Sequence, residues 1–115
     1  MNKDVMKTYL IRDKGFLKSI YESQNSRKLL QTAEDSELKT LILFLHFLAN
    51  GEIHLKKENF DKLNEFKKLS ILRKSVEKKT RVLNLLKSSR VEKITFLLKL
   101  LKVFPFLLYP LFNEI

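Results

Sequence analysis

The sequence predicts an all-α fold in one domain spanning residues 1–115, a compact bundle of about five or six short helices around two apolar helices. Three observations carry that expectation. Two glycines and two prolines are present, both prolines near the C-terminus, so most of the chain is free to be helical. No alternating run of β-branched residues bounded by turn residues occurs, so a strand signal is missing. The stretch 38–49, LKTLILFLHFLA, carries Leu41, Ile42, Leu43, Phe44, Leu45, Phe47 and Leu48, which surround a helix on nearly every side. Such a helix has to be buried, and it is shorter than the roughly 20 apolar residues of a membrane span. It is therefore expected at the centre of the core, with Asp35 or Thr32 capping its start and Asn50-Gly51 supplying the left-handed residue that ends it.

In chain order, residues 4–11 are expected to form a short helix with Val5, Met6, Tyr9 and Leu10 inward, broken by Lys14-Gly15. Residues 16–22 place Phe16, Leu17, Ile20 and Tyr21 on one apolar face of a second helix. After the polar turn 23–26, Ser26 is placed to cap a turn over 27–32 that buries Leu29 and Leu30. Isolated helices shorter than about 12–15 residues are marginal in water, so these pieces must be held by packing on 38–49.

Beyond Gly51, the stretch Glu52-Ile53-His54-Leu55 reads as an extended connector, and 57–69 begins a helix with Phe60, Leu63 and Phe66 at near-helical spacing. Ser70 or Ser75 restarts a helix carrying Ile71, Leu72 and Val76, and 80–87 offers Val82, Leu83, Leu85 and Leu86. Ser89-Arg90-Val91-Glu92 has the form of a capping box. The helix it opens, 90–104, contains Val91, Ile94, Phe96, Leu97, Leu98, Leu100, Leu101 and Val103, with Glu92, Thr95, Lys99 and Lys102 on one narrow polar stripe, and Pro105 and Pro110 punctuate the tail. The apolar segment 90–115 is the second core helix on one reading, and an exposed contact for a protein or an anionic membrane on another. On that second reading Phe104, Phe106, Leu107, Leu108, Tyr109, Leu111 and Phe112 make the contact.

The formal charge is +10 and the isoelectric point is near 9.9. A charge of that sign favours polyanions such as nucleic acid or an anionic membrane surface. Lysine greatly outnumbers arginine, which suits phosphate neutralisation and not bidentate base recognition. Most of the excess lies in the basic middle, 56–93. The candidate phosphate-binding residues are Lys56, Lys57, Lys67, Lys68, Arg73, Lys74, Lys78, Lys79 and Arg81, the alternative being solvated faces of amphipathic helices.

Catalytic chemistry finds little support in the residues. Cysteine is absent, so neither disulfides nor thiolate metal sites can form. His46 and His54 lie eight apart without a carboxylate at metal-ligand spacing, and no glycine-rich phosphate loop exists. Glu34, Asp35 and Glu37 gather at a helix start, which the helix dipole explains. The expectation is a protein that is not an enzyme and needs no cofactor. The N-terminus lacks the apolar region of a secretory signal, which predicts an intracellular location.

Three stretches together resemble the small lysine-rich proteins encoded by Polintons and adintovirus-like elements. They are LILFLHFLANGEIHL (41–55), KKENFDKLNEFKKLSILRKSVEKKTR (56–81) and FPFLLYPLF (104–112), matching a leucine-rich helix with its turn and connector, a basic middle and a Phe-Leu-Pro tail. The tail is also similar to that of adenovirus core protein X. In that family a pair of glycines usually precedes the tail, where this chain has Lys102-Val103. The resemblance implies non-specific DNA binding or condensation in a virion core, and a nuclear or virion location.

Overall fold

A computed structural model describes residues 3–23, 25–52, 57, 58, 61 and 69–100 of the chain. Among them are seven helices and no strand: α1 (Lys3–Arg12), α2 (Lys14–Glu22), α3 (Ser26–Thr32), α4 (Asp35–Ala49), α5 (Leu69–Val76), α6 (Lys79–Lys87) and α7 (Arg90–Leu100). The all-α fold is thus present.

The all-round apolar helix is the centre. Among the described residues, half of the ten largest fully buried side chains belong to α4, namely Leu38, Leu41, Ile42, Phe44 and Leu45, joined by Leu17 and Ile20 of α2, Leu30 of α3, Leu72 of α5 and Leu97 of α7. Fully burying each such side chain is worth about 1.5–3 kcal/mol before conformational entropy is charged against it. The helices α1, α5, α6 and α7 pack directly on α4. Contacts between α1 and α2, α2 and α3, α3 and α7, α7 and α6, and α6 and α5 complete an arc of six helices around it. The arc follows chain order except at one joint, where α3 meets α7 and the two halves of the chain close on each other.

That joint is held by Arg90. Its guanidinium donates to Asp35 Oδ1 at 3.0 Å, to the Gln31 carbonyl at 2.8 Å and to the Ala33 carbonyl, and so clips the α3–α4 connection to the start of α7. Charged donors on free helix-end carbonyls are the stronger class of hydrogen bond.

The helix ends follow local chemistry, with some displacement from expectation. The backbone ladder passes through the α1–α2 junction, Asp13 N–H donating to Tyr9 O and Leu17 N–H to Asp13 O at 3.0 Å each. Lys14 and Gly15 therefore open α2, and the break between the two helices lies just before them, at Asp13. Asn25, not Ser26, caps α3, its Oδ1 accepting from the Lys28 amide at 3.3 Å. Glu34 takes the cap position of α4 in place of Asp35 or Thr32, and the Glu37 Oε1 accepts its amide at 2.9 Å. At the other end of α4, Gly51 has φ of 67°, Glu52 N–H reaches Phe47 O at 2.9 Å and Gly51 N–H reaches Leu48 O at 3.1 Å. This pair is the Schellman motif.

Three apolar residues of these helices point out: Val91 is 73% exposed, Ile71 53% and Leu83 46%. In their place a charged residue goes in. Lys93 is 5% exposed, on the face it shares with Leu97 and Leu100 at helical spacing, and its Nζ donates to the Ser88 carbonyl at 2.9 Å just past the end of α6. The aliphatic stem packs and the ammonium caps, as long cationic side chains can.

Candidate nucleic-acid interface

The α5–α6 corner gathers five of the expected phosphate-binding residues. Arg73 and Lys74 stand in the last turn of α5, Lys78 is the N-cap residue of α6, and Lys79 and Arg81 lie in the first turn of α6. All five are exposed, and Glu77 is the one acid between Arg73 and Arg81. Lys57 is exposed on a helical segment, whereas Lys56, Lys67 and Lys68 lie outside the described residues, as do Phe104, Phe106, Leu107, Leu108, Tyr109, Leu111 and Phe112.

The corner is anchored from beneath by the last turn of α4. A carbonyl can only accept, so the 2.6 Å contact between His46 Nδ1 and the Val76 carbonyl places a proton on Nδ1. Asn50 Nδ2 donates to the carbonyls of His46 at 2.8 Å and Glu77 at 3.2 Å. His46 and Asn50 therefore cap the C-terminus of α5, which gives the half-buried histidine a structural task. The Arg81 guanidinium completes this anchoring from α6 by donating to the Lys74 carbonyl. Arg81 is thus both a brace and a cation on the surface.

The charges have unequal explanations. Arg73 and Lys74 complement the negative end of the α5 dipole, so helix stability accounts for them. Lys78, Lys79 and Arg81 sit at the positive end of α6, with no acidic residue in its first turn and no side-chain cap. There each cation opposes the dipole by roughly 0.3–1 kcal/mol. Among the described residues the ion pairs are Arg12–Asp13, Lys18–Glu22 and Arg90–Asp35. Neither Arg73, Lys74, Lys78, Lys79 nor Arg81 belongs to one.

Next to the corner lies an open groove of about 530 Å³ between the last turn of α5, α6 and α7. Its wall runs from Ser75 and Arg81 past Leu85 to Phe96 and Lys99. The chain signalled Lys99 as part of a polar stripe and Phe96 as an apolar residue, but nothing in their spacing links them to Arg81. Among the described residues no cluster of three or more histidine and acidic side chains could hold a metal ion, and no helix is long and apolar enough to cross a membrane. No protein-family model, curated protein or solved structure matches the chain.

Proposed function

We propose that the protein binds nucleic acid without catalysis and without sequence preference, neutralising phosphates through Arg73, Lys74, Lys78, Lys79 and Arg81. Lys56, Lys57, Lys67 and Lys68 of the same basic stretch are its further contacts. The observation that carries this reading is the α5–α6 corner: five exposed cations without an ion pair among the described residues, three of them at a helix N-terminus whose dipole they oppose. Cations kept where they weaken their own helix are best explained by an anion that comes to them, and the free amides of that helix end favour the same anion. The resemblance to small basic proteins of viral-type elements supports DNA as the polyanion and a virion core as the setting.

The test is titration of the purified chain with a random-sequence duplex at several salt concentrations, with anionic vesicles in parallel. Release of counterions from about 6 to 10 phosphates weakens binding by about 10³ to 10⁵ between 50 and 200 mM salt. Absence of DNA binding at low salt ends this reading. The second reading, contact with a protein or an anionic membrane through the apolar tail, is supported by the run FPFLLYPLF. It predicts vesicle binding that deletion of 104–115 abolishes while the helical fold persists.

A further inference from the structure

We propose that the groove between α5, α6 and α7 holds one unstacked nucleobase of a single-stranded nucleic acid, stacked on Phe96, with the adjoining phosphates on Arg81 and Lys99. The inference rests on the nucleic-acid reading above and adds to it a strand preference. The groove volume of about 530 Å³ lies within the usual range for ligand clefts, about 300–1,000 Å³. Phe96 is half-buried: part of the ring packs on the core and the rest lines the groove. An aromatic side chain that packs on the core and also lines an open groove can serve as a stacking platform, and stacking tolerates any base because every base has a π-face.

The charges on the walls divide the site. Arg81 and Lys99 are exposed cations on α6 and α7, and neither is in an ion pair among the described residues. Glu92 lines the same groove, and its carboxylate repels a phosphate or an acidic peptide but accepts from the amino group of a base. A bare polyphosphate therefore fits the corner better than the groove, whereas a base with an exocyclic amine fits the groove. A duplex keeps its bases stacked inside and can offer the protein its phosphates alone without paying to unstack one.

The chain has no tryptophan, so Phe96→Trp places a single reporter on the platform. Titration of that variant with short single-stranded oligo(dC) is expected to quench its emission, whereas a duplex of equal length, inorganic polyphosphate and polyglutamate leave it unchanged. Phe96→Leu is expected to weaken oligo(dC) binding about tenfold with duplex binding as in the native chain, both variants retaining helical circular dichroism. If substitution at Phe96 unfolds the chain, Asn84→Trp, at an exposed position on the groove wall, carries the same reporter. Oligo(dC) binding without quenching, equal losses on both nucleic acids, or quenching by polyglutamate overturns the groove proposal and leaves the corner intact. A native chain that binds neither oligo(dC) nor duplex overturns both.

Discussion

The two halves of the chain are built alike and charged differently. Residues 3–52 carry eight Lys and Arg against seven Asp and Glu, and residues 69–100 carry nine against two. Both halves send short amphipathic helices onto α4. In the first half, acids nearly match the cations in number, and among the described residues Arg12 pairs with Asp13 and Lys18 with Glu22. In the second, the one cation in an ion pair among the described residues is Arg90, and it reaches across to Asp35 of the first half. Burial decides the fold in both, while charge is internally balanced in one and left over in the other. At the start of α6, Lys78 and Lys79 oppose stability and, unlike Arg81, brace no carbonyl among the described residues, so their presence there calls for a task outside the fold.

The largest expected effect removes what the halves share. Phe44 is fully buried in α4, and Phe44→Ala should cost about 3–5 kcal/mol, a large part of the whole stability of a chain this size. Thermal melting by circular dichroism should show both halves lost in one transition. A chain in which one half melted early would break the view that α4 is a common core.

Next comes the comparison itself. Replacing Arg73, Lys74, Lys78 and Lys79 by Gln should lower duplex affinity and flatten the dependence of log K on log salt by up to about 3.6, at about 0.9 per phosphate. Replacing the exposed Lys7, Lys14, Lys28 and Lys39 removes the same charge from the first half and should change the slope by less than about 1. Equal effects of the two sets would mean that net charge, and not the α5–α6 corner, attracts the polyanion. The first set should leave the melting temperature about unchanged, because the loss of two cations that oppose the α6 dipole is offset by the loss of two that complement the α5 dipole.

How much of this was legible in the chain follows from distance along it. The centre could be read from 38–49 because an all-round apolar helix has one place to go. The caps slipped by one residue at α3 and at α4 because Asn25 and Ser26, or Glu34 and Asp35, are adjacent residues each able to accept an amide, and the local partners Lys28 and Glu37 stand three residues after Asn25 and Glu34. Val91 faces out and Lys93 faces in for another reason. The face that meets the core is set by Leu97 and Leu100, and Lys93 falls on it at i−4 and i−7, a signal that hydropathy alone hides. The corner was half legible, since Arg73 to Arg81 is contiguous sequence. The groove was not, because Ser75, Arg81, Phe96 and Lys99 are brought together by the crossing of three helices.

The joint between the halves is the third test. Arg90→Ala loses the Asp35 pair, which is partly exposed and worth little by itself, and the two carbonyl bonds. A loss of about 1–2 kcal/mol in denaturant unfolding is expected. Asp35→Asn should cost less than about 0.5 kcal/mol, and the difference between the two variants isolates the carbonyl clamp. Equal losses would assign the joint to the ion pair.

The last contrast is between pH and salt. Asp13 is buried at the α1–α2 junction, where burial pushes its pKa up, but hydrogen bonds from Arg12 and Thr40 and the Arg12 charge outweigh burial and hold it below its ordinary 3.8. Arg12 binds it at 3.1 and 2.9 Å and reaches on to the Thr40 hydroxyl at 3.0 Å, while its guanidinium lies 4.7 Å from the centre of the Tyr9 ring. A carboxylate whose folded pKa lies below its unfolded one stabilises the fold above the unfolded value, and that contribution is lost as pH falls through the folded value. Asp13→Asn should therefore lower the melting temperature at neutral pH, and the gap from the native chain should close as pH falls below 3.8. The Gln set at Arg73, Lys74, Lys78 and Lys79 should leave that acid response untouched, just as Asp13→Asn should leave the salt slope of DNA binding untouched. A variant of either kind that moved both readouts would show that the balanced half and the charged half share more than the core between them.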